Sequence, residues 1–383
     1  MIFRDPSQMT EELGMLRDTV QRFVAEAVTP HGDAWEAEGR SPKSVLKQMG
    51  DLGLLGVRYP ESYGGSALDT RATVTLHEEL GRATFGGFNA MVAVHTDMAS
   101  PHLARYGTDE QKDRLMPGIV SGDILTAVAV TEPGAGSDVA GITTKAVRDG
   151  NGWRLNGSKV FITNGATADV LFVGAKTDTD VKGSRGISIF IVPRDTPGFS
   201  VARTLDKTGW RSSDTAELVF EDAYLPADAL LGEENRGFYA IMDNFQNERL
   251  TLGAMAVGMA MAGIELTLDW VKQRQAFSKT LWDIGAIRQR LSMAAAEVEA
   301  SRQLLWHAAW LDSQGQDCVR EVSMVKALTG EMVNKVLYDC TQFFGGMGFM
   351  RENPVERLYR DARVMSIGGG ATEVMLEEVA KRL

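Results

Sequence analysis

One carboxylate in the second half of the chain is placed to act as a general base. In "NFQNERLTLGAMAVGMA", Glu248 precedes a long helical pattern, and steps of four and three residues lead to Leu252, Met255 and Met259 on one face. A carboxylate at the head of an apolar stripe is partly desolvated, which raises its pKa toward the range of a base near neutral pH. A solvated first-turn glutamate that favours the helix dipole is the alternative, and the stripe alone does not decide between them.

A glycine-containing loop offers a place where a planar ring or a phosphate could approach the main chain. The segment "VAVTEPGAGSD", residues 128–138, reads as a strand entering a loop with Gly134 and Gly136 two residues apart. Small residues and backbone N–H groups permit close approach, while Thr131 and Ser137 supply hydroxyl groups. An ordinary turn explains the same pattern. The chain contains neither GxGxxG nor GxxxxGK[ST], which argues against a dinucleotide-binding fold and a P-loop.

Two further segments contain the components of a diphosphate or adenine clamp. In "KQRQAFSK", Phe277 follows Arg274 by three residues and is predicted on the same helical face, and in "QFFGGMGF" a glycine-rich turn follows Gln342. A guanidinium group can fork onto phosphate oxygens. The surface of an ordinary helical bundle contains the same residue types, so the segments alone leave both interpretations open.

The elements that must position these residues occur in the order α, β, α. We predict an α+β multidomain protein with an N-terminal α-helical domain over residues 1–122, a middle antiparallel β domain over 123–232 and a C-terminal four-helix bundle over 233–383. Three Asn-Gly pairs in the middle domain predict turns between its strands: Asn151, Asn156 and Asn164.

Composition excludes several classes of protein. The 383 residues carry a formal net charge of −11 without a basic cluster, which argues against nucleic-acid binding. The first residues resemble neither a signal nor a transit peptide, so we expect a cytoplasmic protein. The most apolar run, Leu250 to Leu266, is too short to span a membrane and is predicted to be a buried helix. Two cysteines and five histidines without ligand spacing predict no metal site.

Taken together, the motifs resemble the acyl-CoA dehydrogenase family along essentially the whole chain. Members share the predicted α, β and bundle domains, bind FAD, act in fatty-acid β-oxidation and usually form homodimers or homotetramers. The segments that carry the resemblance appear in family order: "VTEPGAGSD", "LNGSKVFITNG", "FEDAYLP", "GFYAIM", "ERL", "R-x-x-F", "FFGGMGF" and "YRDAR".

The resemblance implies an unusual position for the catalytic base. Most members carry the base near the C-terminus, where this chain has Gly369 within "SIGGGATEV". In a minority branch that includes the long-chain and isovaleryl types, the base is on the bundle helix that contains "ERL", which implies Glu248 here. The N–H of Gly369 then remains as a donor to the thioester oxygen and stabilises the developing enolate.

Further roles follow by position in the family motifs. The flavin pocket is implied to contain Val128, Val130, Thr131, Gly136, Ser137, Phe161, which stands where many relatives carry Trp, and Thr163. Residues implied to bind the diphosphate and adenosine of FAD from a partner subunit are Arg274, Phe277, Gln342, Gly345 and Gly346. Ala371, in place of a frequent Thr, and Glu373 are also implied to contact FAD. Acyl-CoA contacts are implied for Ser137, Ser184, Tyr239, Gln246, Asn247, Arg249 and Gly370.

We therefore expect an FAD-dependent acyl-CoA dehydrogenase that forms a trans-2-enoyl-CoA and passes electrons to an electron-transferring flavoprotein. A medium-to-long or branched acyl chain is hypothesised, because small residues after Glu248 could leave depth for an acyl tail: Gly253, Ala254, Ala256 and Gly258. One alternative is a flavin oxidase or monooxygenase on the same scaffold. The other is a catalytically silent acyl-CoA-binding scaffold that keeps FAD as a structural element.

Overall fold

The N-terminal part of the chain is helical in a computed structural model that describes residues 2–181 and 183–383. Side-chain caps begin several helices; at α7, for example, Thr108 and Gln111 form a capping box. Two π-helical segments, Val24–Val28 and Val94–Ala99, interrupt the α-helical pattern. The α-helices are α1 Glu11–Phe23, α2 Gly32–Glu38, α3 Lys43–Asp51, α4 Thr70–Arg82, α5 Gly86–Ala93, α6 Ser100–Tyr106 and α7 Asp109–Val120.

The middle of the chain forms one sheet with the strand order β6-β7-β3-β2-β4-β5-β8, and β1 pairs with β4. The strands are β1 Thr126–Ala129, β2 Lys145–Asp149, β3 Gly152–Thr163, β4 Val170–Lys176, β5 Ile187–Pro193, β6 Phe199–Thr204, β7 Thr215–Leu225 and β8 Leu230–Leu231. Most pairs are antiparallel, as predicted, but β1 runs parallel to β4 with Thr126 opposite Val170. The β2–β3 hairpin lies between them in sequence and gives the chain the length that a parallel return requires.

Only two of the three Asn-Gly pairs lie in turns between strands. Asn151 lies in the β2–β3 turn and Asn164 follows the end of β3 with a φ of +63°. The prediction is wrong for Asn156, which lies inside β3 and pairs with Lys145. Gly157 has a φ of +147° at a register shift between β3 and β7, so the dipeptide forms a β-bulge.

The C-terminal part of the chain is again helical, and its long helices α8, α9 and α10 pack against one another. The helices are α8 Gly237–Gln273, α9 Gly285–Ser313, α10 Val319–Phe344, α11 Pro354–Ala362 and α12 Thr372–Ala380, and a short hairpin joins β9 Gln275–Ala276 to β10 Lys279–Thr280. The predicted α, β, α order is confirmed. The domain boundaries at residues 122 and 232 stay predictions.

Helix α8 is the central element of the C-terminal part. It is long and apolar enough to cross a membrane, yet 89% of its most apolar 18-residue window is buried inside the protein. Every residue from 250 to 264 is buried, which confirms the predicted buried helix. The length and composition of α8 are those of a helix that forms the core of a folded protein, as well as those of a membrane-spanning helix.

At two of the small residues after Glu248, neighbouring helices occupy the space that a side chain would fill. A Cβ at Gly253 would lie 2.6 Å from Val325 Cγ1 of α10, and a Cβ at Gly258 would overlap the main chain of Glu78 in α4. Gly81 of α4 lies against the same stretch of α8. A Cβ added at Gly81 would lie 3.2 Å from Gly258 Cα. These glycines therefore permit close helix packing, and the expectation that they leave depth for an acyl tail is wrong at both.

A buried ion pair joins the N-terminal helices to the C-terminal ones. The guanidinium of Arg302 in α9 contacts both carboxylate oxygens of Glu78 in α4, with a shortest N–O distance of 2.6 Å. Trp306 donates its indole N–H to the same carboxylate. Both charged side chains are almost fully buried, so each compensates the charge of the other within the core.

Candidate active site

Helix α8 holds Glu248 half-buried, with its Oε1 atom bonded to Asn244. The Leu252 and Met255 side chains further along the same face are buried in the core. Burial raises the pKa of Glu248 to about 8, although an N–H bond from Asn244 and the charge of Arg249 act in the opposite direction. A carboxylate with this pKa is a stronger proton acceptor than a solvated one and is still ionised in a useful fraction near neutral pH.

The triple-glycine turn packs against the same face of α8. Gly369 has a φ of +64°, in the left-handed region, and an added Cβ would overlap Leu252 Cδ1. Leu252 lies one helical turn after Glu248, so the turn and the carboxylate share one side of the helix. Among the described residues the N–H of Gly369 has no hydrogen-bond acceptor in the protein. It is a free backbone donor close to the candidate base.

A buried lysine fixes the ends of this turn. Lys326 of α10 donates to the carbonyl oxygens of Met365 at 2.6 Å and Gly370 at 2.9 Å. Burial and the nearby charge of Arg249 lower the pKa of Lys326 to about 8. No sequence signal indicated this role, because the residues that Lys326 contacts lie about 40 positions further along the chain.

The loop after β1 is held against β3 by main-chain and side-chain bonds. Val160 donates its N–H to the Thr131 carbonyl at 2.9 Å, and Lys159 donates to the Val130 carbonyl at 2.9 Å and to Glu132 at 2.8 Å. Burial opposes ionisation of Glu132, but the charge of Lys159 outweighs it and lowers the pKa of the carboxyl group. The loop backbone is thus fixed before any ligand binds.

The loop and the end of β3 present an open surface. A Cβ at Gly134 or Gly136 would meet no heavy atom within 4 Å, so the backbone there is accessible. Phe161 follows Val160 with a φ of +61° and 67% of its side chain exposed. An accessible glycine backbone beside an exposed aromatic ring suits a flat ligand with polar edges.

The predicted clamp residues meet at the far end of α8, but not on one helical face. Helix α8 ends at Gln273, so Arg274 begins a hairpin and Phe277 lies in its turn with a φ of +55°. The predicted shared face is therefore wrong. Trp270 stacks on Phe344 with ring centroids 5.0 Å apart, which brings the hairpin beside the segment that contains Gln342, Gly345 and Gly346.

Comparison with known proteins identifies the arrangement. Residues 10–123, 127–223 and 235–383 match the N-terminal, middle and C-terminal domains of acyl-CoA dehydrogenase. The mitochondrial long-chain specific acyl-CoA dehydrogenase of Mus musculus is 39% identical over 377 residues, 98% of this chain and 87% of the relative. The mitochondrial isovaleryl-CoA dehydrogenase of Pongo abelii is 37% identical over 369 residues, 96% and 87% of the two chains. The crystal structure of acyl-CoA dehydrogenase from Geobacillus kaustophilus superimposes with a TM-score of 0.95 at 40% identity, covering 99% of both chains.

The chain belongs to the acyl-CoA dehydrogenase family. It is an enzyme of the oxidoreductase class, and the predicted fold, family and branch resemblance are confirmed. FAD is the cofactor of the family, and the open loop backbone beside Phe161 fits a flavin ring. The exposed Arg274 and the glycine turn at Gly345 fit a diphosphate.

The acyl-CoA dehydrogenase has an open cavity of about 370 Å³ beside the glycine turn. Ala371 and Glu373, both predicted to contact FAD, line it together with Arg363 of the preceding turn. The lining holds the Arg363 guanidinium and the carboxylates of Glu331 and Glu373, so the cavity suits a polar part of a ligand.

The residues predicted to contact acyl-CoA are only partly brought together. Gln246, Arg249 and Gly370 lie near Glu248 or the glycine turn, and buried Gln246 Oε1 and Arg249 Nε have no partner among the described residues. Asn247 is different, because its side-chain amide bonds Asp97 and Arg58 within the protein core. Ser184 lies in the turn Gly183–Gly186, while Tyr239 is 45% exposed near the start of α8 beside the Arg236 guanidinium.

One residue that the sequence analysis missed contacts the candidate base of the acyl-CoA dehydrogenase directly. Asn244 Nδ2 donates to Glu248 Oε1 at 3.0 Å from one helical turn earlier. The spacing of four residues would have identified it as a neighbour of Glu248 on the helix. Its chemistry was hidden because asparagine is also common on solvated helix surfaces.

Proposed function

We propose that this acyl-CoA dehydrogenase oxidises an acyl-CoA thioester to the trans-2-enoyl-CoA with Glu248 as the base that removes the α-proton. The observation that carries the proposal is the half-buried carboxyl group of Glu248, whose pKa is raised by desolvation to about 8, on the helical face that packs against the Gly369 turn. When bound, FAD supplies the acceptor, its N5 atom, for the hydride that leaves the β-carbon.

The free N–H of Gly369 supports a second role in the same step. Proton removal from the α-carbon moves negative charge onto the thioester oxygen, and a fixed backbone donor stabilises that charge without reorganising. Lys326 anchors the carbonyls of Met365 and Gly370 on either side of Gly369. We assign Gly369 as the oxyanion donor and Lys326 as the side chain that holds the turn.

Two unpaired polar atoms of α8, on residues that flank Glu248 in the sequence but lie on other faces of the helix, support binding of a polar ligand along this part of α8. A buried polar atom without a partner costs free energy, so Gln246 Oε1 and Arg249 Nε favour a ligand that bonds them. We assign both to acyl-CoA binding together with Ser137, Ser184, Tyr239 and Gly370. Asn247 is assigned to the architecture of the site, because its own side chain is satisfied inside the protein.

The length of α8 supports a homodimer as the active unit. Glu248 and Gln273, the last residue of α8, are 25 residues apart, which at 1.5 Å per residue separates Glu248 from the start of the Arg274 hairpin by about 38 Å. One FAD molecule cannot contact both ends of the helix in one chain. A second copy can place its Arg274 hairpin beside the first copy's flavin loop, so we propose two FAD sites per dimer, each completed by the partner, with a dimer of dimers as the larger assembly.

The acyl group and the electron acceptor belong to the proposal as well. Relatives of similar identity are named for long-chain and isovaleryl substrates, so a medium, long or branched chain is proposed. A reduction rate that is highest with butyryl-CoA and falls with chain length would exclude it. An electron-transferring flavoprotein is the proposed acceptor, and rapid turnover with oxygen alone would favour an oxidase. The cytoplasmic location stays a prediction from the sequence.

The decisive experiment is anaerobic mixing of the yellow protein with butyryl-, isovaleryl-, octanoyl- and palmitoyl-CoA. We expect the wild type to bleach and Glu248→Gln to retain FAD and bind the ligand while its bleaching rate falls roughly 10²- to 10⁴-fold. Glu265→Gln, a carboxylate further along the same helix, is the control and should bleach like the wild type. Bleaching of Glu248→Gln within tenfold of the wild type would exclude Glu248 as the base, and no bleaching of the wild type with any thioester would support a silent scaffold.

A further inference from the structure

The contact between Asn244 and Glu248 is part of a fixed arrangement of buried polar groups. Asn244 is 2% exposed, and its Nδ2 atom also lies 3.0 Å from the Asp97 carbonyl and 3.2 Å from the Met98 carbonyl. Asn247 donates to the same Asp97 carbonyl at 2.9 Å. Two asparagines of α8 are therefore bonded to one irregular segment of the N-terminal part of the chain.

The local sequence explains why these carbonyls accept side-chain donors. Asp97 and Met98 lie in the π-helical segment Val94–Ala99, where the regular bonding pattern is interrupted. In an α-helix the Asp97 carbonyl would bond the N–H four residues later, but residue 101 is proline and has no N–H. The Asp97 carbonyl therefore lacks that α-helical donor, and the side chains of Asn244 and Asn247 donate to it.

The Asp97 side chain fixes this segment in turn. Its carboxylate contacts His77 Nε2 at 2.8 Å, and Thr96 and Thr73 donate hydroxyl bonds to it. Burial opposes ionisation of Asp97, but these bonds and the nearby charges outweigh it and lower its pKa to about 2. Asn244 is thus anchored to a carbonyl whose own position is held by several bonds.

The anchored amide distinguishes the two oxygens of Glu248. Oε1 accepts the Asn244 bond, whereas Oε2 has no hydrogen-bond partner among the described residues. An N–H donor stabilises the ionised carboxylate and therefore lowers the pKa that burial raises. One oxygen is held, and the other is available to take a proton.

We propose that Asn244 is the positioning residue of the catalytic base: its amide, anchored on the Asp97 and Met98 carbonyls, holds Glu248 Oε1 and directs Oε2 to the α-carbon of the acyl-CoA. This inference rests on the proposed role of Glu248. It assigns no contact between Asn244 and the substrate, and its effect on the rate is transmitted through Glu248 alone.

Other charged groups around Glu248 must stay constant when the inference is tested through pH. The charged groups that face this region from each packed element are Arg249 on α8, Asp97 on the π-helical segment, Arg58 near it, Lys326 on α10, Glu378 on α12 and Arg382 just after α12. None of them is altered by a substitution at position 244.

The test is the pH profile of anaerobic flavin reduction between pH 6 and 10, with the acyl-CoA of the panel that bleaches the wild type fastest. An N–H bond to a carboxylate stabilises the charged form roughly 10- to 100-fold, so Asn244→Leu should move the acid limb upward by about one to two pH units. Its rate at pH 7 should fall at least tenfold and recover partly at pH 10. Asn244→Asp, which lacks the N–H and adds a like charge, should move the limb in the same direction.

Thr251→Val is the matched control, because this buried hydroxyl on α8 bonds the Asn247 carbonyl and no other group in the described part of the chain. Its acid limb should coincide with that of the wild type. Asn244 variants whose acid limb also coincides with the wild type would overturn the inference, even if their rates were lower at every pH, and the Asp variant decides the matter if the Leu variant does not fold. Loss of reduction in Glu248→Gln alongside unshifted Asn244 variants would leave the proposed function intact and exclude only this inference.

Discussion

Leu252 occupies the space that a side chain at Gly369 would need. Leu252 belongs to α8 and Gly369 to the turn before α12, yet an added Cβ at Gly369 would overlap Leu252 Cδ1. Leu252 lies one turn after Glu248, so the absence of a side chain in the glycine turn and the presence of the proposed base on α8 belong to one packing arrangement.

We therefore expect Gly369→Ala and Leu252→Ala to be coupled. The Ala substitution at a φ of +64° costs roughly 1–2 kcal/mol in backbone strain, and its Cβ collides with Leu252. Leu252→Ala alone costs roughly 2–5 kcal/mol through the cavity that it leaves. The double variant should be less destabilised than the sum by roughly 0.5–3 kcal/mol in urea unfolding of the FAD-loaded protein. Additive losses would show that the two residues do not compete for one space.

The pH dependence of flavin reduction should follow Glu248. Its pKa is raised to about 8 by burial, and only the ionised form accepts a proton. The reduction rate of the free enzyme should therefore fall as the pH drops below about 8, approaching tenfold per pH unit. Stopped-flow bleaching against pH measures this limb, and a rate that is constant from pH 6 to 9 would contradict the assignment.

The free energy of unfolding should depend on pH in the opposite sense: it should fall as the pH rises and Glu248 ionises. The folded state raises the pKa of Glu248 from 4.5 to about 8, so the folded protein binds this proton more tightly than the unfolded chain. The stabilisation of the folded state by this bound proton is fully present below pH 4.5 and is lost as the pH rises to about 8. Glu248→Gln cannot ionise, and at pH 9 it should be more stable than the wild type by roughly 1–3 kcal/mol. Thermal unfolding of the wild type and Glu248→Gln at pH 5 and pH 9 tests this. An equal difference in stability between the two proteins at both pH values would contradict it.

Arg302→Met should be strongly destabilising. It leaves the Glu78 carboxylate buried without its ionic partner, which costs roughly 3–5 kcal/mol. The exposed pair Arg203–Glu217 has a similar N–O distance of 2.7 Å, and Arg203→Met should cost about 1 kcal/mol or less. Chemical unfolding of both variants compares the two environments. The double variant Glu78→Gln/Arg302→Met should recover part of the loss, and equal effects at the two sites would contradict this account of burial.

Substitutions in the Arg274 hairpin should reduce both FAD binding and the formation of the proposed homodimer. Arg274→Met and Phe277→Ala remove an exposed cation and a side chain that is 90% exposed in the single chain. If a partner's FAD is bound there, both variants should lose most of their flavin absorbance on gel filtration and shift toward the monomer. Arg320→Met, at the opposite end of α10 from Gly345, should retain both. Full FAD content in the hairpin variants would exclude the proposed shared site.

The sequence predicted what depends on periodicity and failed where a local signal has two meanings. Helical spacing placed Glu248 before an apolar stripe, which is buried in the structure, but the spacing did not decide its role, and the family resemblance implied the base. Asn156 was assigned to a turn because Asn-Gly serves both a turn and a bulge, and only the pairing with Lys145 distinguishes them. Arg274 was placed on a helix because neither glycine nor proline marks the end of α8 at Gln273.

Long-range contacts explain the remaining differences. The parallel pairing of β1 with β4 and the bonds from Lys326 to the glycine turn join segments whose proximity no local pattern encodes. Small residues in α8 were interpreted as an acyl pocket, whereas Gly253 and Gly258 admit neighbouring helices. A stripe of small residues indicates close approach, but not whether protein or ligand approaches.

The contact between Gly81 and Gly258 has a mechanical consequence. Because the two helices touch through their main chains, α4 can neither slide along nor roll over α8 without steric collision. The proposed base, Glu248, thus lies on a helix whose position against α4 is fixed by main-chain packing as soon as the polypeptide has folded. Any motion that admits the thioester must arise elsewhere in the molecule.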